Sequence, residues 1–303
     1  MKLILPLIAA GCLATCSAMA QNAKGMKGYP KFFKEGHRGT RGLMPENTIP
    51  AMKKGIEAGA GFIEVDVYLT KDGQVLIAHD PYLNTAISTM PDGSSVVSKD
   101  SAKMYTWHQM NYADIRRIDV GAKGNPAFPQ QQKIPTYMPL LGELIDSVEA
   151  FTKANKLKPT IYNIEIKSNP KMDGVYQPAD SSLLVKALMD VVKSKKIGNR
   201  FYLQSFDVRP LQAARKLYPE VLIGFLNGDA KRSVEENLQA LGFKPDIYSP
   251  AYQLVKKETI DVCRTKGMKL VPWTVNTAEE IDQLVKLGVD GIITDYPNLL
   301  SKY

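Results

Sequence analysis

Two histidines bracket the segment that holds most of the reactive side chains in this chain. His37 and His79 are two of only three histidines in 303 residues. Glu64 and Asp66 lie between them, two positions apart in an apolar run. Residues i and i+2 of a β-strand point to the same face. Two carboxylates on one face, flanked by two imidazoles, can hold a divalent metal beside an acid and a base, which outlines a hydrolytic site.

Further polar residues end other apolar runs. Glu165 and Lys167 end one such run, Gln204 ends a second, and Trp273 lies in a third. Glu165 would complete a set of three carboxylates, which repel one another unless a cation or protons neutralise them. Ligation by oxygen alone favours Mg²⁺ or Ca²⁺ over zinc. Arg38 and Lys167 can bind phosphoryl oxygens and stabilise charge that develops in a transition state.

The two histidines suit acid and base catalysis. Imidazole titrates at about pH 6.5, so a pair can divide these roles near neutrality. His108 lies in a polar segment without comparable neighbours, and we interpret it as structural.

The elements that must position these residues alternate along the chain. Apolar, strand-like runs are followed by amphipathic, helix-like runs, which gives eight βα units. This pattern predicts a parallel sheet closed into a TIM-like (β/α)₈ barrel, whose working residues lie at the C-terminal ends of the strands. The polar residues named above occupy those ends. An open, doubly wound sheet is the alternative, but no GxGxxG motif follows any strand.

The alternation stops between about 81 and 139. This stretch is rich in Ser, Asp, Gly, Pro and Gln, yet apolar residues recur through it. It is predicted to be a small subdomain, inserted after the second βα region of one barrel domain that covers 21–303. An Asp-Gly pair at 72–73, between two apolar runs, predicts a β-hairpin just before the insertion.

Residues 1–20 have the pattern of a secretory signal peptide. Lys2 precedes a short apolar run, and an Ala-Met-Ala sequence ends at Ala20. The run is too short to cross about 30 Å of hydrocarbon as a helix. We therefore expect export to the periplasm or the cell exterior and no transmembrane segment. A lipoprotein processed at Cys12 or Cys16, and anchored to a membrane surface, is the alternative.

The overall composition is that of a globular domain without an internal disulfide. The chain is 44% hydrophobic and 23% charged, with a formal net charge of +8. Cleavage of the leader would leave only Cys263, which falls in an amphipathic helical pattern and is interpreted as a core residue. The aromatic and basic interleaving of nucleic-acid-binding modules is absent. The positive charge therefore indicates at most attraction to phosphate-bearing substrates or anionic surfaces.

Taken together, these motifs resemble the glycerophosphodiester phosphodiesterase family, which carries an HRG…PENT turn, an ExD strand, a TKDG…HD hairpin and an insertion after it. The matching residues are His37-Arg38-Gly39, Pro45-Glu46-Asn47-Thr48, Glu64-Val65-Asp66, Thr70-Lys71-Asp72-Gly73, His79-Asp80, Glu165-Ile166-Lys167, Gln204-Ser205-Phe206, Trp273-Thr274-Val275-Asn276 and 291–297. The resemblance covers nearly the whole chain after the leader. The insertion departs from the family, because Leu83-Asn84-Thr85-Ala86 replaces an Arg-Thr-Thr run, and substrate preference therefore stays open.

The resemblance implies a role for each group of residues. His37 and His79 would form the acid/base pair. Glu64, Asp66 and Glu165 would be the ligands of one divalent cation (Ca²⁺ or Mg²⁺). Arg38, Lys167 and Trp273 would contact the phosphate or the substrate. Glu46, Asn47 and Gln204 are further candidates. Glu46 would be an additional metal ligand, and Asn47 either caps the following helix or orients a site residue.

The predicted activity is metal-dependent hydrolysis of small glycerophosphodiesters to glycerol 3-phosphate and an alcohol. Either histidine can be the base, and either water or the neighbouring glycerol hydroxyl can attack. A phospholipase C or D acting on intact lipids would have apolar loops at the barrel mouth. A non-catalytic phosphate- or glycan-binding barrel would have lost a histidine or a ligand, and none is lost. A sugar-phosphate isomerase or aldolase would need a Schiff-base lysine or an enolising base, which the twin histidines fit less well.

Overall fold

The structure is a computed structural model that describes residues 26–303. The predicted signal peptide lies outside the described residues. Between 26 and 303, no helix combines the length and the apolar content needed to cross a bilayer.

Strands and helices alternate over most of the described chain. The strands are β1 Phe33–Gly36, β2 Phe62–Leu69, β3 Val75–Ile77, β4 Ile161–Ile166, β5 Phe201–Ser205, β6 Ile223–Asn227, β7 Ile247–Pro250, β8 Lys269–Leu270 and β9 Gly291–Thr294. The helices are α1 Ile49–Glu57, α2 Lys99–Ala102, α3 Tyr112–Ile115, α4 Leu141–Ala154, α5 Ser182–Lys195, α6 Val208–Leu217, α7 Val234–Leu241, α8 Lys257–Lys266 and α9 Ala278–Leu287. Short 3₁₀ segments are Trp107–Gln109, Pro170–Met172, Tyr252–Leu254 and Pro297–Leu300.

Eight parallel strands form a nearly closed barrel. Neighbouring strands follow the order β8-β7-β6-β5-β4-β2-β1-β9, and β3 pairs antiparallel with β2. The backbone N–H groups of Asp290 and Ile293 donate to the carbonyls of Leu270 and Pro272 at 2.8 and 3.0 Å, which joins the two ends of the sheet. The predicted TIM-like (β/α)₈ fold is confirmed, as is the predicted hairpin between β2 and β3.

The barrel interior changes from apolar to polar along the strands. At their N-terminal ends, Phe33, Phe62 and Ile161 belong to one buried cluster. Because side chains alternate along a strand, the next inward residues lie two positions further on. These include Glu64 on β2 and Asn163 on β4, which face each other in register. A closed apolar layer therefore forms the floor beneath a polar upper barrel.

The helices cover the outside of the barrel with apolar stripes. On α4, the fully buried residues Leu141, Leu144, Ile145 and Val148 follow the i, i+3, i+4, i+7 spacing of one helix face. They join the large core cluster between the helices and the outward faces of the strands. Each buried Leu or Ile contributes about 2 kcal/mol of transfer free energy, so this outer core holds the strands in place.

Residues 81–139 have an apolar cluster of their own. Leu83, Trp107 and Ile115 pack together and against Tyr68 and Leu76 of the hairpin. The Trp107 indole Nε1 also donates to the backbone carbonyl of Asp80 at 2.6 Å. The segment therefore packs directly on the strand end that carries His79.

A further carboxyl group lies inside the barrel, two residues beyond Phe33 on β1. Glu35 on β1 is fully buried, and Asn163 Nδ2 donates to it at 2.9 Å. The Tyr202 hydroxyl lies 2.9 and 2.8 Å from its two carboxyl oxygens. Burial raises the pKa of Glu35 to about 7, although these hydrogen bonds act in the opposite direction.

Replacing Glu35 with glutamine is expected to stabilise the fold at alkaline pH. In the unfolded chain the group ionises near 4.5, so the folded protein loses stability as pH rises from there to about 7. The difference corresponds to about 3 kcal/mol, and glutamine does not titrate. The melting temperature of Glu35→Gln relative to wild type should therefore rise across this range and then stay constant. Thermal melts at about pH 5 and about pH 8 check this; an equal difference at both values would contradict it.

Candidate active site

Three carboxylates on β2 and β4 meet inside the barrel. Asp66 lies opposite Glu165 in register, and Glu64 precedes Asp66 by two residues on the same inward face. All three are buried, and one oxygen of each lies within 4.8 Å of the other two. In the described part of the chain, this is the one group of three or more potential metal ligands. The structure therefore brings the three predicted ligands together.

The oxygens of this cluster fit a hard divalent cation. Glu64 Oε1 and Asp66 Oδ1 are buried without a hydrogen-bond partner. Burying such oxygens costs free energy unless a bound cation contacts them. Burial raises the pKa of Glu64 well above its usual value, and repulsion by Asp66 and Glu165 adds to the rise. A set of carboxylates without Cys or His suits ions that prefer oxygen ligands.

Two cationic side chains lie beside the cluster. Lys167 Nζ is 2.8 Å from Glu165 Oε1 and 3.4 Å from Asp66 Oδ1. Arg38 Nη1 donates to Glu46 Oε1 at 2.6 Å, and its Nε lies 3.5 Å from Asp66 Oδ2. Burial opposes ionisation of Asp66, but Lys167 and Arg38 help to hold its pKa below the usual range. Glu46 thus contacts Arg38 and is not part of the three-carboxylate cluster.

The turn after β1 orients two of the carboxylates. Its residues Arg38 and Asn47 both have left-handed backbone conformations, with φ of 48° and 57°. The Arg38 backbone N–H donates to Glu64 Oε2 at 2.8 Å, and Asn47 Nδ2 donates to Asp66 Oδ2 at 2.8 Å. The side chain of Thr48 caps α1. Of the two roles left open for Asn47, the structure shows orientation of a site residue.

The two histidines line the same cavity above the carboxylates. This cavity has a volume of about 220 Å³. His37 Nδ1 lies 2.7 Å from Asp295 Oδ1, and His79 Nδ1 lies 3.0 Å from Asp80 Oδ1. Each carboxylate accepts from Nδ1–H and so fixes the ring with Nε2 free. Burial lowers the pKa of His37 to about 4, although Asp295 acts in the opposite direction, and the ring is therefore neutral near pH 7.

The opposite wall of the cavity is largely apolar. Phe206 and Trp273 meet edge to face with ring centroids 5.2 Å apart, and Leu226 lies beside them. Gln204 also lines the cavity, and its buried Oε1 has no hydrogen-bond partner. The structure thus places Gln204 and Trp273 at the predicted site. A cavity with charged side chains at its base and an apolar wall suits a small polar molecule with one apolar side.

Sequence reasoning missed the group behind His37. Asp295, which follows β9, is fully buried and accepts from Arg41 Nε at 2.9 Å and from Asn276 Nδ2 at 2.7 Å. The motif that contains Asp295 matches the family pattern but carries no assigned role in the sequence analysis. A signal does exist, because β9 neighbours β1 in a closed barrel. An acid at the end of the last strand must then lie beside a histidine at the end of the first.

Asp295→Asn is expected to lower kcat by about 10³-fold, because an amide can hold the His37 ring in the wrong tautomer. KM should change little, since Asp295 does not line the cavity. The loss of its charge should also lower the pKa of His37 further. Steady-state kinetics and the pH profile of the variant, with a thermal melt as folding control, test this. An unchanged kcat in a folded variant would remove Asp295 from the mechanism.

Comparisons with known proteins agree with this geometry. Residues 37–299 match the model of the glycerophosphoryl diester phosphodiesterase family. The chain is 33% identical over 264 residues to a glycerophosphodiester phosphodiesterase of Caldanaerobacter subterraneus subsp. tengcongensis, covering 87% of this chain and 94% of the relative.

Solved structures share the fold. A candidate glycerophosphoryl diester phosphodiesterase from Silicibacter pomeroyi superposes with a TM-score of 0.80 at 27% identity, over 93% of this chain and 96% of that chain. A phosphodiesterase from Oleispira antarctica, solved with the product sn-glycerol-3-phosphate, gives a TM-score of 0.71 at 21% identity, over 92% and 98% of the two chains. From the family match and the sequence identity, the chain belongs to the glycerophosphoryl diester phosphodiesterase family.

Proposed function

We propose that the chain hydrolyses glycerophosphodiesters to glycerol 3-phosphate and an alcohol in the cavity above the carboxylate cluster. One observation carries the proposal. Two histidines with free Nε2 atoms, three cationic side chains and two carboxylates of the cluster line a single space of about 220 Å³. The carboxylate of Asp66 lies within 4.8 Å of those two carboxylates. Membership of an enzyme family supports the same reaction class.

The carboxylates Glu64, Asp66 and Glu165 would hold one divalent cation, Ca²⁺ or Mg²⁺. Such an ion, when bound, offsets negative charge on phosphoryl oxygens as a Lewis acid. Arg38 and Lys167 lie beside the cluster and donate to phosphoryl oxygens that face them. Their ion pairs with Glu46 and Glu165 hold both side chains in position before substrate arrives.

The surroundings of the two histidines divide their roles. His37 is neutral near pH 7 and donates Nδ1–H to Asp295, so its Nε2 lone pair can take a proton from the attacking hydroxyl. With His37 as the base, His79 is assigned as the acid; 33% of its side chain is exposed, and its Nδ1 pairs with Asp80. His79 therefore gives its proton to the leaving alkoxide. The same arrangement allows His37 to take the proton from either attacking group, water or the neighbouring glycerol hydroxyl.

The substrate class can be tested by product analysis. Met104 lies in the insertion after β3 and Val175 in the segment after β4, and their exposed fractions are 78% and 48%. Because the acyl chain of a lipid would need exposed apolar side chains of this kind, lysophosphatidylcholine is the informative comparison with glycerophosphocholine and glycerophosphoethanolamine. We expect glycerol 3-phosphate from the two diesters, at rates far above hydrolysis of the lysolipid, and loss of both activities in His79→Ala. Faster release of lysophosphatidic acid would instead assign the site to intact lipids.

We also propose that the protein is exported, on the strength of the leader pattern in residues 1–20. Cell fractionation with intact-mass analysis of the mature chain tests this. A mass that begins at Gln21 supports cleavage by signal peptidase, and a diacylated mass that begins at Cys12 or Cys16 supports a lipoprotein. An uncleaved chain in the cytoplasm would contradict export.

A further inference from the structure

The N-terminal end of the barrel, opposite the active site, carries a group of unpaired lysines. We call it the basic face; it comprises Lys27, Lys34, Lys156, Lys158 and Lys196. Lys27, Lys34 and Lys158 line a cavity of about 620 Å³, and Lys196 lines a neighbouring cavity of about 400 Å³. The two cavities share Asn199. The four lysines that line these cavities therefore lie on one continuous surface, and Lys156 precedes Lys158 by two residues.

No carboxylate among residues 26–303 neutralises these lysines. None of the five takes part in an ion pair, whereas the nearby acids Glu149 and Asp146 already pair with Arg200 and Lys195. Glu220 lines the smaller cavity and takes part in no ion pair. The face thus keeps a net positive charge that is open to an external anion.

Two of the lysines occupy positions where glycine is preferred. Lys156 and Lys196 follow α4 and α5 with left-handed φ of 53° and 55°. Three other helices end in the same conformation with a glycine, at Gly242, Gly267 and Gly288. A left-handed backbone is unfavourable for residues with a Cβ. Lysine is therefore present at both positions in spite of this conformational cost.

An exposed leucine lies between two of these lysines. Leu157 has 41% of its surface exposed and is flanked by Lys156 and Lys158. An apolar tip between long basic side chains suits the boundary between lipid headgroups and acyl chains, where lysines extend their charges towards phosphate. A small soluble anion would gain nothing from contact with an exposed leucine side chain.

The chain also enters the described structure at this face. Met26 packs against the apolar cluster at the N-terminal ends of the strands. If the alternative of a lipid anchor holds, Cys16 lies ten residues before Met26, a reach of at most about 35 Å. Whether the leader is removed by signal peptidase or by lipoprotein processing, the described chain begins at the basic face.

We propose that the basic face docks onto an anionic phospholipid surface, with the active-site cavity open to solvent at the other end of the barrel. Each lysine near such a surface strengthens binding about five-fold, and salt weakens the attraction. Docking in this orientation would hold the enzyme at a membrane while it draws small diesters from solution.

The test is co-sedimentation of the mature, unlipidated protein with vesicles of phosphatidylcholine, with or without one-third phosphatidylglycerol. We expect binding only to the anionic vesicles, and weaker binding in high salt. Lys27→Gln/Lys34→Gln/Lys158→Gln should weaken it about 100-fold. The matched control neutralises Lys99, Lys171 and Lys231, three exposed lysines that have no ion pair and lie on other parts of the surface. Equal losses in both triple variants, or no binding of the wild type to anionic vesicles, would overturn the proposal.

A second pair of variants separates docking from a structural role. Lys156→Gly and Lys196→Gly relieve the left-handed conformation, so each should raise the melting temperature. If these lysines serve only the fold, vesicle binding should not change. The proposal requires binding to weaken several-fold in the same, more stable proteins. Higher stability with unchanged vesicle binding would therefore overturn it, and turnover of soluble substrate should stay at the wild-type rate in both variants.

Discussion

His37→Ala should lower kcat for glycerophosphocholine by about 10⁴-fold while the protein stays folded, because the attacking hydroxyl loses the base that Asp295 orients. His37 suits this role through its surroundings. Its ring is mostly buried, its Nδ1 is held by Asp295, and burial lowers its pKa to about 4. A ring that is neutral at pH values above about 4 can accept a proton throughout that range.

The pH profile sharpens this prediction. The acidic limb of kcat/KM reports the base in the free enzyme, so activity should persist well below pH 6.5, the usual midpoint for histidine. His108→Ala is the matched control, since His108 lies in the 3₁₀ segment of the insertion and does not line the cavity. A wild-type acidic limb with a midpoint at or above about 6.5 would contradict the assignment of His37 as base, and so would substantial activity in His37→Ala.

Glu64→Gln is expected to have opposite effects with and without metal. In chelator, the substitution should raise the melting temperature, because it removes a buried carboxyl whose pKa is raised by burial and by Asp66 and Glu165. A raised carboxyl pKa destabilises the fold at pH values above the unfolded value of 4.5. With Ca²⁺ or Mg²⁺ present, the wild type should gain stability and the variant should gain less, because a ligand is lost. Activity should fall by about 10³-fold or more.

Glu258→Gln, in an exposed position in the first turn of α8, is the control for this comparison. It should leave turnover unchanged and lower the melting temperature slightly and equally with and without metal, because a negative charge near a helix N-terminus is lost. Melting curves of all three proteins in EDTA, Mg²⁺ and Ca²⁺ provide the measurement. A Glu64→Gln protein that is less stable than wild type in EDTA would show that Glu64 stabilises the fold and is not held there for a cation.

The fold could be predicted from the sequence because its signals are local and repeated. Apolar runs alternate with amphipathic ones, and the positions of Asp66 and Glu165 near the ends of such runs place both at one edge of the sheet. The register that sets them face to face follows from that arrangement. Strand ends were less predictable: β8 is only Lys269–Leu270, although the apolar pattern continues to Val275. Hydrogen bonds, and not composition, determine where a strand ends.

Parts of the site depend on contacts between residues far apart in the chain. Asp295 and His37 are 258 positions apart and meet only because the barrel closes. Glu35 has no sequence signature, since a charged residue in a strand usually faces solvent, and its burial depends on Asn163 and Tyr202 from two other strands. Asn47 could be assigned either as a helix cap or as an orienting residue until the fold placed its side chain against Asp66. Such pairings depend on the three-dimensional structure.

The central claim is that Glu64, Asp66 and Glu165 hold the divalent cation on which hydrolysis depends. The most direct test is release of glycerol 3-phosphate from glycerophosphocholine by metal-stripped protein, titrated with Ca²⁺ or Mg²⁺ beside Glu165→Gln. We predict no turnover in EDTA, recovery to a plateau as one equivalent binds, and little recovery in the variant. Turnover that persists in EDTA, or a variant that recovers like the wild type, would contradict the account.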